Sequence, residues 1–222
     1  MAKKKSKKTT TVRTHPRHVK LSPKNPTGIT IVDEHLRRLP GTYLNELEIY
    51  EISNGYSLKN IVQPSENNLG YKKDGNAYND LIAIWTDYFN TLFKINPKLE
   101  PDMIKALIGS ESGFKLDPKN PLAIGIAQIT KETWKIIQDP NGEAKDFIFN
   151  NIHQKDLKNA EIAIPIAVRW LAYKKSRAEG KLGRPATHEE VILEYKGLLK
   201  SKTKLKTKAL ERYRELYAEL KK

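Results

Sequence analysis

A chain of 222 residues without a single cysteine can bury a full-sized core but can hold neither a disulfide nor a thiolate metal site. Its net charge of +14 sits at its ends: residues 1–20 carry eight Lys/Arg and no acid, residues 196–222 carry ten against three, and the middle is almost balanced at 22 against 23. No apolar run approaches the roughly 20 residues that cross a bilayer, and "MAKKKSKKTTTVRTHPRHVK" has a charged start without the apolar segment of a secretory signal.

In chain order, residues 1–27 are polar, contain Pro16, Pro23 and Pro26, and are expected to form a basic, disordered tail. "GITIV" (28–32) suits a short strand. Asp33 is placed to cap a short helix that stops at Pro40-Gly41, and a second helix is expected from Thr42 to about Ser53. Residues 56–77 are rich in Asn, Gly, Lys and Ser and read as loop. Residues 28–77 together make a small, largely helical N-terminal extension to which no chemistry attaches.

From residue 78 the helical period strengthens, and 78–222 is expected to be one mainly α domain. Leu81, Ile84, Trp85, Tyr88 and Leu92 recur at i+3/i+4 spacing, and Asn96-Pro97 ends that helix. Pro101 suits a first helical position and Asp102 the positive helix end; the helix should stop at Gly113. An extended loop is expected over 115–130, then a short helix over 131–138 capped by Thr130. A longer helix spans about 160–178, with Pro165 near its start. Thr187-x-x-Glu190 is a capping-box pattern opening a helix that reaches Tyr195. A basic last helix, about 203–221, shows Leu205, Ala209, Tyr213, Leu216, Tyr217 and Leu220 on one face.

Within this frame Glu111 is out of place. It shares a helix face with Ile104 and Ile108 and lies at the C-terminal end, where the helix dipole disfavours a negative charge. It either frays into solvent or looks into a cleft floored by the isoleucines. Desolvation in such a cleft favours the neutral acid, which is what cleavage of a glycosidic bond requires.

The stretch "ALIGSESGFKLDPKNPLAIGIAQIT" (106–130) resembles the signature of the lytic transglycosylase SLT family. The matching pieces are Glu111-Ser112-Gly113-Phe114 and Gly125-Ile126-Ala127-Gln128-Ile129. "AIPIAVRWLAYKK" (163–175) is similar to the family's helix ending in an aromatic-Leu pair. Tyr195-Lys196-Gly197 is a looser match to a later Tyr-Asn-Ala-Gly segment. The resemblance covers about residues 98–200 and implies a goose-type lysozyme-like helical fold with a deep groove.

It implies a peptidoglycan substrate, cut at the β-1,4 bond between N-acetylmuramic acid and N-acetylglucosamine, with no cofactor or metal. Glu111 would protonate the departing oxygen and then deprotonate the muramoyl C6 hydroxyl, leaving a 1,6-anhydro end. Gln128 and Tyr195 would bind or orient substrate, and Ser112 would bond Glu111 or the sugar unless it is a simple helix-end hydroxyl. Gly113 and Gly125 would allow close backbone approach or positive φ.

Three departures stand out. Lys196 replaces the family's usual asparagine and is expected to point to solvent, Glu194 replaces the usual alanine, and Ala163 stands where an asparagine is usual. A second carboxylate within reach, with Glu194, Asp117 and Asp139 as candidates, would make the enzyme a hydrolytic lysozyme instead. Trp85 and Trp170 read as core, while Trp134 is the tryptophan to test in the groove. The histidines, including His15, His18, His35 and His153, lack ligand-like spacing.

Two readings from other classes compete with the enzyme. The basic ends suit nucleic acid, but the balanced middle lacks the interleaved aromatic and basic residues of such an interface. A non-catalytic wall-binding module is the other. The wall lies outside the cytoplasm, so without a Sec signal the expectation is another exit: phage release as a lysin or virion component, or a secretion machine engaged through residues 1–77.

Overall fold

In the computed structural model, the described residues are four N-terminal strands, 9–12, 15–18, 29–32 and 35–38, followed by 42–222 without interruption. Strand β1 (Thr9–Val12) pairs antiparallel with β4 (His35–Arg38), and β2 (His15–His18) with β3 (Ile29–Val32). Thr9 opposes Arg38 and His15 opposes Val32, so the two ladders keep one register. The strand expected within 28–32 is present. The helix expected after Asp33 is not: His35–Arg38 is strand β4. A helix of that length has little stability of its own, whereas Thr9–Val12 offers β-branched partners to an extended segment. Strands β1 and β2 also fall inside the stretch expected to lack order.

Strand β5 (Thr42–Leu44) runs parallel to β8 (Phe147–Phe149) and leads directly into α1 (Glu46–Gly55). The helix expected from Thr42 therefore starts four residues later. Asn45 sets that start: its side chain accepts from the Glu48 amide while Glu48 accepts from the Asn45 amide. Leu44, Ile49 and Leu69 are buried in the same core as the later helices, so residues 43–77 are woven into the main body.

That body is mainly α, with seven α-helices among the described residues. Helix α2 (Asn79–Phe93) packs on the long α5 (Ala160–Leu182) and on α3 (Pro101–Ser112). Helix α6 (His188–Tyr195) packs on α5, and α7 (Thr203–Leu220) lies along α3. Between α3 and α5 come the short hairpin β6 (Ala123–Ile124) and β7 (Ile129–Thr130), then α4 (Lys131–Ile136) and β8.

The signals that open and close these helices act as expected. Pro101 sits in the first turn of α3 and Gly113 closes it at φ 59°. The Thr130 hydroxyl accepts from the Thr133 amide at the start of α4. Thr187 and Glu190 form the reciprocal box that opens α6. Pro165 lies in the second turn of α5, near enough to the N-terminus that the helix continues through it to Gly183.

Helix α3 is the axis of the core. Met103, Ile104, Ala106, Leu107 and Ile108 are fully buried. Each large one contributes about 1.5–3 kcal/mol, and Leu107→Ala alone would cost about 2–5 kcal/mol. On α7, Leu210, Tyr213, Leu216 and Leu220 form the inner face, whereas Leu205, expected on that face, is exposed.

Candidate functional site

Glu111 occupies the last turn of α3, where the helix leaves the core, and its side chain is 17% exposed. The chain turns sharply there. Gly113 and Phe114 both adopt left-handed backbone, at φ 59° and 64°. Phe114 bears that strain because its ring is buried, stacked edge-on against Tyr71 at 5.2 Å. A Cβ on Gly113 would meet the Tyr71 ring at 3.0 Å, so small size and positive φ are both needed at that position.

Two further segments meet at this helix end. The β6–β7 loop, Gly125 to Gln128, is drawn tight by the Gln128 amide donating to the Gly125 carbonyl at 3.1 Å. Gly125, at φ 76°, sits so close to α5's approach that a Cβ would lie 1.8 Å from the Leu157 carbonyl oxygen. The expected close approach of backbone at Gly125 is therefore present. From α6, the Tyr195 hydroxyl donates to the Ala127 carbonyl at 2.8 Å. The next residue, Lys196, donates from its ammonium to the Glu111 carboxylate. Burial, then the nearby Glu111 charge, pushes the Tyr195 hydroxyl well above its ordinary value, so it remains a donor.

Lys196 thus points inward, not to solvent. The reason is local: α6 ends at Tyr195 with Lys196 as its cap, and the left-handed Gly197, φ 72°, turns the chain away and leaves the lysine stem along the helix end beside Glu111. Both members of the pair are largely screened from water, Lys196 at 20% side-chain exposure.

The other expected site residues divide. The Ser112 hydroxyl donates back to the Ile108 carbonyl at 3.2 Å, a helix-end role. Gln128 is buried, 8% exposed. Its amide nitrogen donates to the Gly125 carbonyl at 2.9 Å and its amide oxygen accepts from Asn120 at 2.6 Å. It braces its own loop, and Asn120, which the motif does not mark, is its partner. Glu194 faces away into α5, 2.6 Å from Lys181, with Arg177 and Lys174 at 3.9 and 4.0 Å. Asp117 is paired with Lys158 at 2.8 Å, both exposed. Asp139 accepts from the Asn141 amide at 2.8 Å.

Trp85 and Trp170 are buried in the core. Trp134 is partly exposed and donates its indole N–H to the Ile152 carbonyl at 3.1 Å. Among the described residues no three His, Asp or Glu converge to hold a metal ion, and no helix is long and apolar enough to cross a membrane.

Tyr71 escaped the sequence reading altogether. It covers Gly113, stacks on Phe114 and accepts from Arg212 at 3.0 Å. Its loop has no periodicity, so only the aromatic character of "GYKKDG" hinted at it. Comparison of the chain with protein-family models, with curated proteins and with solved structures finds no match in any of the three.

Proposed function

We propose that this protein cleaves the β-1,4 bond between N-acetylmuramic acid and N-acetylglucosamine in peptidoglycan, as a lytic transglycosylase with Glu111 as its single acid and base. One observation carries the reading. Neighbouring residues at the end of α6 reach both other motif segments, Tyr195 to Ala127 and Lys196 to Glu111. Three stretches far apart in sequence are thereby gathered around one carboxylate at the end of a buried apolar helix.

In the resting arrangement Glu111 is an acceptor, held by the Lys196 ammonium. The first step needs a proton on that carboxylate, so the lysine must leave it as the sugar chain enters. Glu111 then gives its proton to the glycosidic oxygen as the C1–O4 bond breaks. The same carboxylate takes the proton of the muramoyl C6 hydroxyl as O6 bonds to C1. No water is consumed and Glu111 ends protonated, ready for the next cycle. One carboxylate suffices because the nucleophile is tethered to the substrate, worth a large effective concentration. Tyr195 keeps its hydroxyl proton and fixes the Ala127 loop opposite.

The test is digestion of purified peptidoglycan by wild type and Glu111→Gln, with products weighed by mass spectrometry. Anhydro products, one water lighter than reducing ends and missing from the variant, support the proposal. Reducing ends would mean a lysozyme, with Glu194 or Asp117 having to leave its ion pair to activate water. No products from wild type would refute cleavage.

A further inference from the structure

Beyond α4 the fold holds a cleft that no motif marks. It is a cavity of about 430 Å³ between α4 and the chain leaving β8, lined by Trp134, Gln138, Asn150 and Asn151, with Lys135, Asp139 and His153 among its charged or titratable margins. The volume lies within the range of about 300–1,000 Å³ usual for small-ligand sites.

Its chemistry is specific. The Trp134 indole N–H is already used on the Ile152 carbonyl, which locks the ring in place and leaves it its apolar character toward the cleft. The side-chain amides of Asn150 and Asn151 make no hydrogen bond among the described residues, although the Asn150 backbone amide is held by the Leu44 carbonyl at 2.7 Å. Asn151 is kept in left-handed backbone at φ 58°. Two adjacent amides, Asn150 half-buried and Asn151 exposed, thus stand on a held backbone with their donors and acceptors unspent. The charges around them are mixed: Lys135 against Asp139, with Asp139 engaged on the Asn141 amide. A phosphate or other ion has no concentrated partner there. A neutral ligand with an apolar face and amide-like polar groups does.

We propose that this cleft is a saccharide-binding site for N-acetylated amino sugars: the pyranose C–H face packs on Trp134 and the acetamido group exchanges hydrogen bonds with Asn150 and Asn151. The site goes beyond cleavage at Glu111 and does not depend on it. On a polymer substrate it would hold a glycan strand at a second point.

The experiment is titration of the full chain carrying Glu111→Gln, so that nothing turns over, with N-acetylated chitotriose, followed by the indole N–H resonances in ¹H–¹⁵N NMR spectra. Trp134→Phe identifies the Trp134 signal by its disappearance. Maltotriose, which lacks acetamido groups, is the control. The expected result is a saturable shift of the Trp134 signal with chitotriose and little with maltotriose. Combining Asn150→Ala with Asn151→Gly should weaken that binding about tenfold or more, and glycine keeps the left-handed backbone. A Trp134 signal unmoved by chitotriose, or a shift untouched by the double substitution, overturns the site. Either result leaves the cleavage assay on peptidoglycan to be judged separately.

Discussion

Lys196 and Glu111 form an ion pair across the gap between the ends of α6 and α3, with both side chains mostly withdrawn from solvent. The Glu111 carboxylate accepts from the Lys196 ammonium, so the lysine has to be displaced before the proposed acid can act. Because the pair is broken as the sugar chain enters, replacing Lys196 with asparagine should raise kcat/KM on peptidoglycan, chiefly through a lower KM. A pair of this kind is worth up to about 1 kcal/mol, which corresponds to roughly fivefold at most in kcat/KM. Steady-state kinetics of Lys196→Asn would settle the point. A drop in kcat/KM would show instead that the ammonium binds substrate. In Glu111→Gln the rate should fall by about 10²–10⁴.

Gly125 tolerates no side chain. Its Cβ would stand 1.8 Å from the Leu157 carbonyl oxygen, on backbone at φ 76°. Gly125→Ala should cost about 3 kcal/mol or more, read as a lowered melting temperature by circular dichroism. A variant as stable as wild type would mean that the β6–β7 loop does not lie against the Leu157 carbonyl.

Gln128 is predicted to matter for stability before it matters for sugar. Gln128→Ala removes the brace to Gly125 and the partner of Asn120. It should destabilise by about 1–3 kcal/mol, and Asn120→Ala should reproduce much of that loss. Chemical denaturation of the two single variants and the double variant checks this. Unchanged unfolding beside a raised KM would return Gln128 to the substrate.

Lys105 offers a pH signature. It is fully buried on α3, and its ammonium donates to the Ser65 carbonyl and the Asn76 side chain, each at 2.6 Å. Burial pushes it down to about 8, against the opposing pull of Glu66 and Asp102. Between pH 8 and its ordinary value near 10.5, the unfolded chain binds more protons than the folded one at this position. Stability from this group therefore rises with pH across that window, on the order of 3 kcal/mol in full. Below pH 8 the whole burial penalty is present. In Lys105→Met that rise should vanish, so wild type should gain on the variant between pH 8 and 10 in parallel denaturation curves. Parallel behaviour at both pH values would remove the assignment.

Much of the helical frame was legible because local chemistry and burial agreed. Pro101 with Gly113, Thr130, and Thr187 with Glu190 mark ends that the fold respects. The N-terminal region was harder. His35–Arg38 carries no pattern of its own, and its strand exists through a partner more than twenty residues away in the chain. Strand β8, Phe147–Phe149, is all buried and so lacks the alternation that announces a strand. At the site, the place of Glu111 at a helix end was readable from residue type and spacing, and the close approach at Gly125 from the resemblance. The direction of Lys196 was not: at a helix end, one residue decides whether a side chain faces water or the neighbouring helix. Gln128 was singled out by its motif, but its partner Asn120 could be found only once the loop had folded back on itself.

Helix α7 sets the order in which the molecule can mature. It follows every other described element in the chain, yet it lies against α3: Leu216 fills the space beside Gly109, Arg212 holds Tyr71 over Gly113, and Tyr217 and Lys221 clasp Glu100 at the start of α3. During synthesis, α3 emerges roughly a hundred residues before its cover does. Until α7 leaves the ribosome, the apolar flank of α3 has no lid and the turn that aims Glu111 has no clamp. A growing chain that has not yet added α7 therefore leaves the turn at Glu111 unheld. Appending residues one by one from 203 to 222 would therefore give a threshold in folding, not a slope.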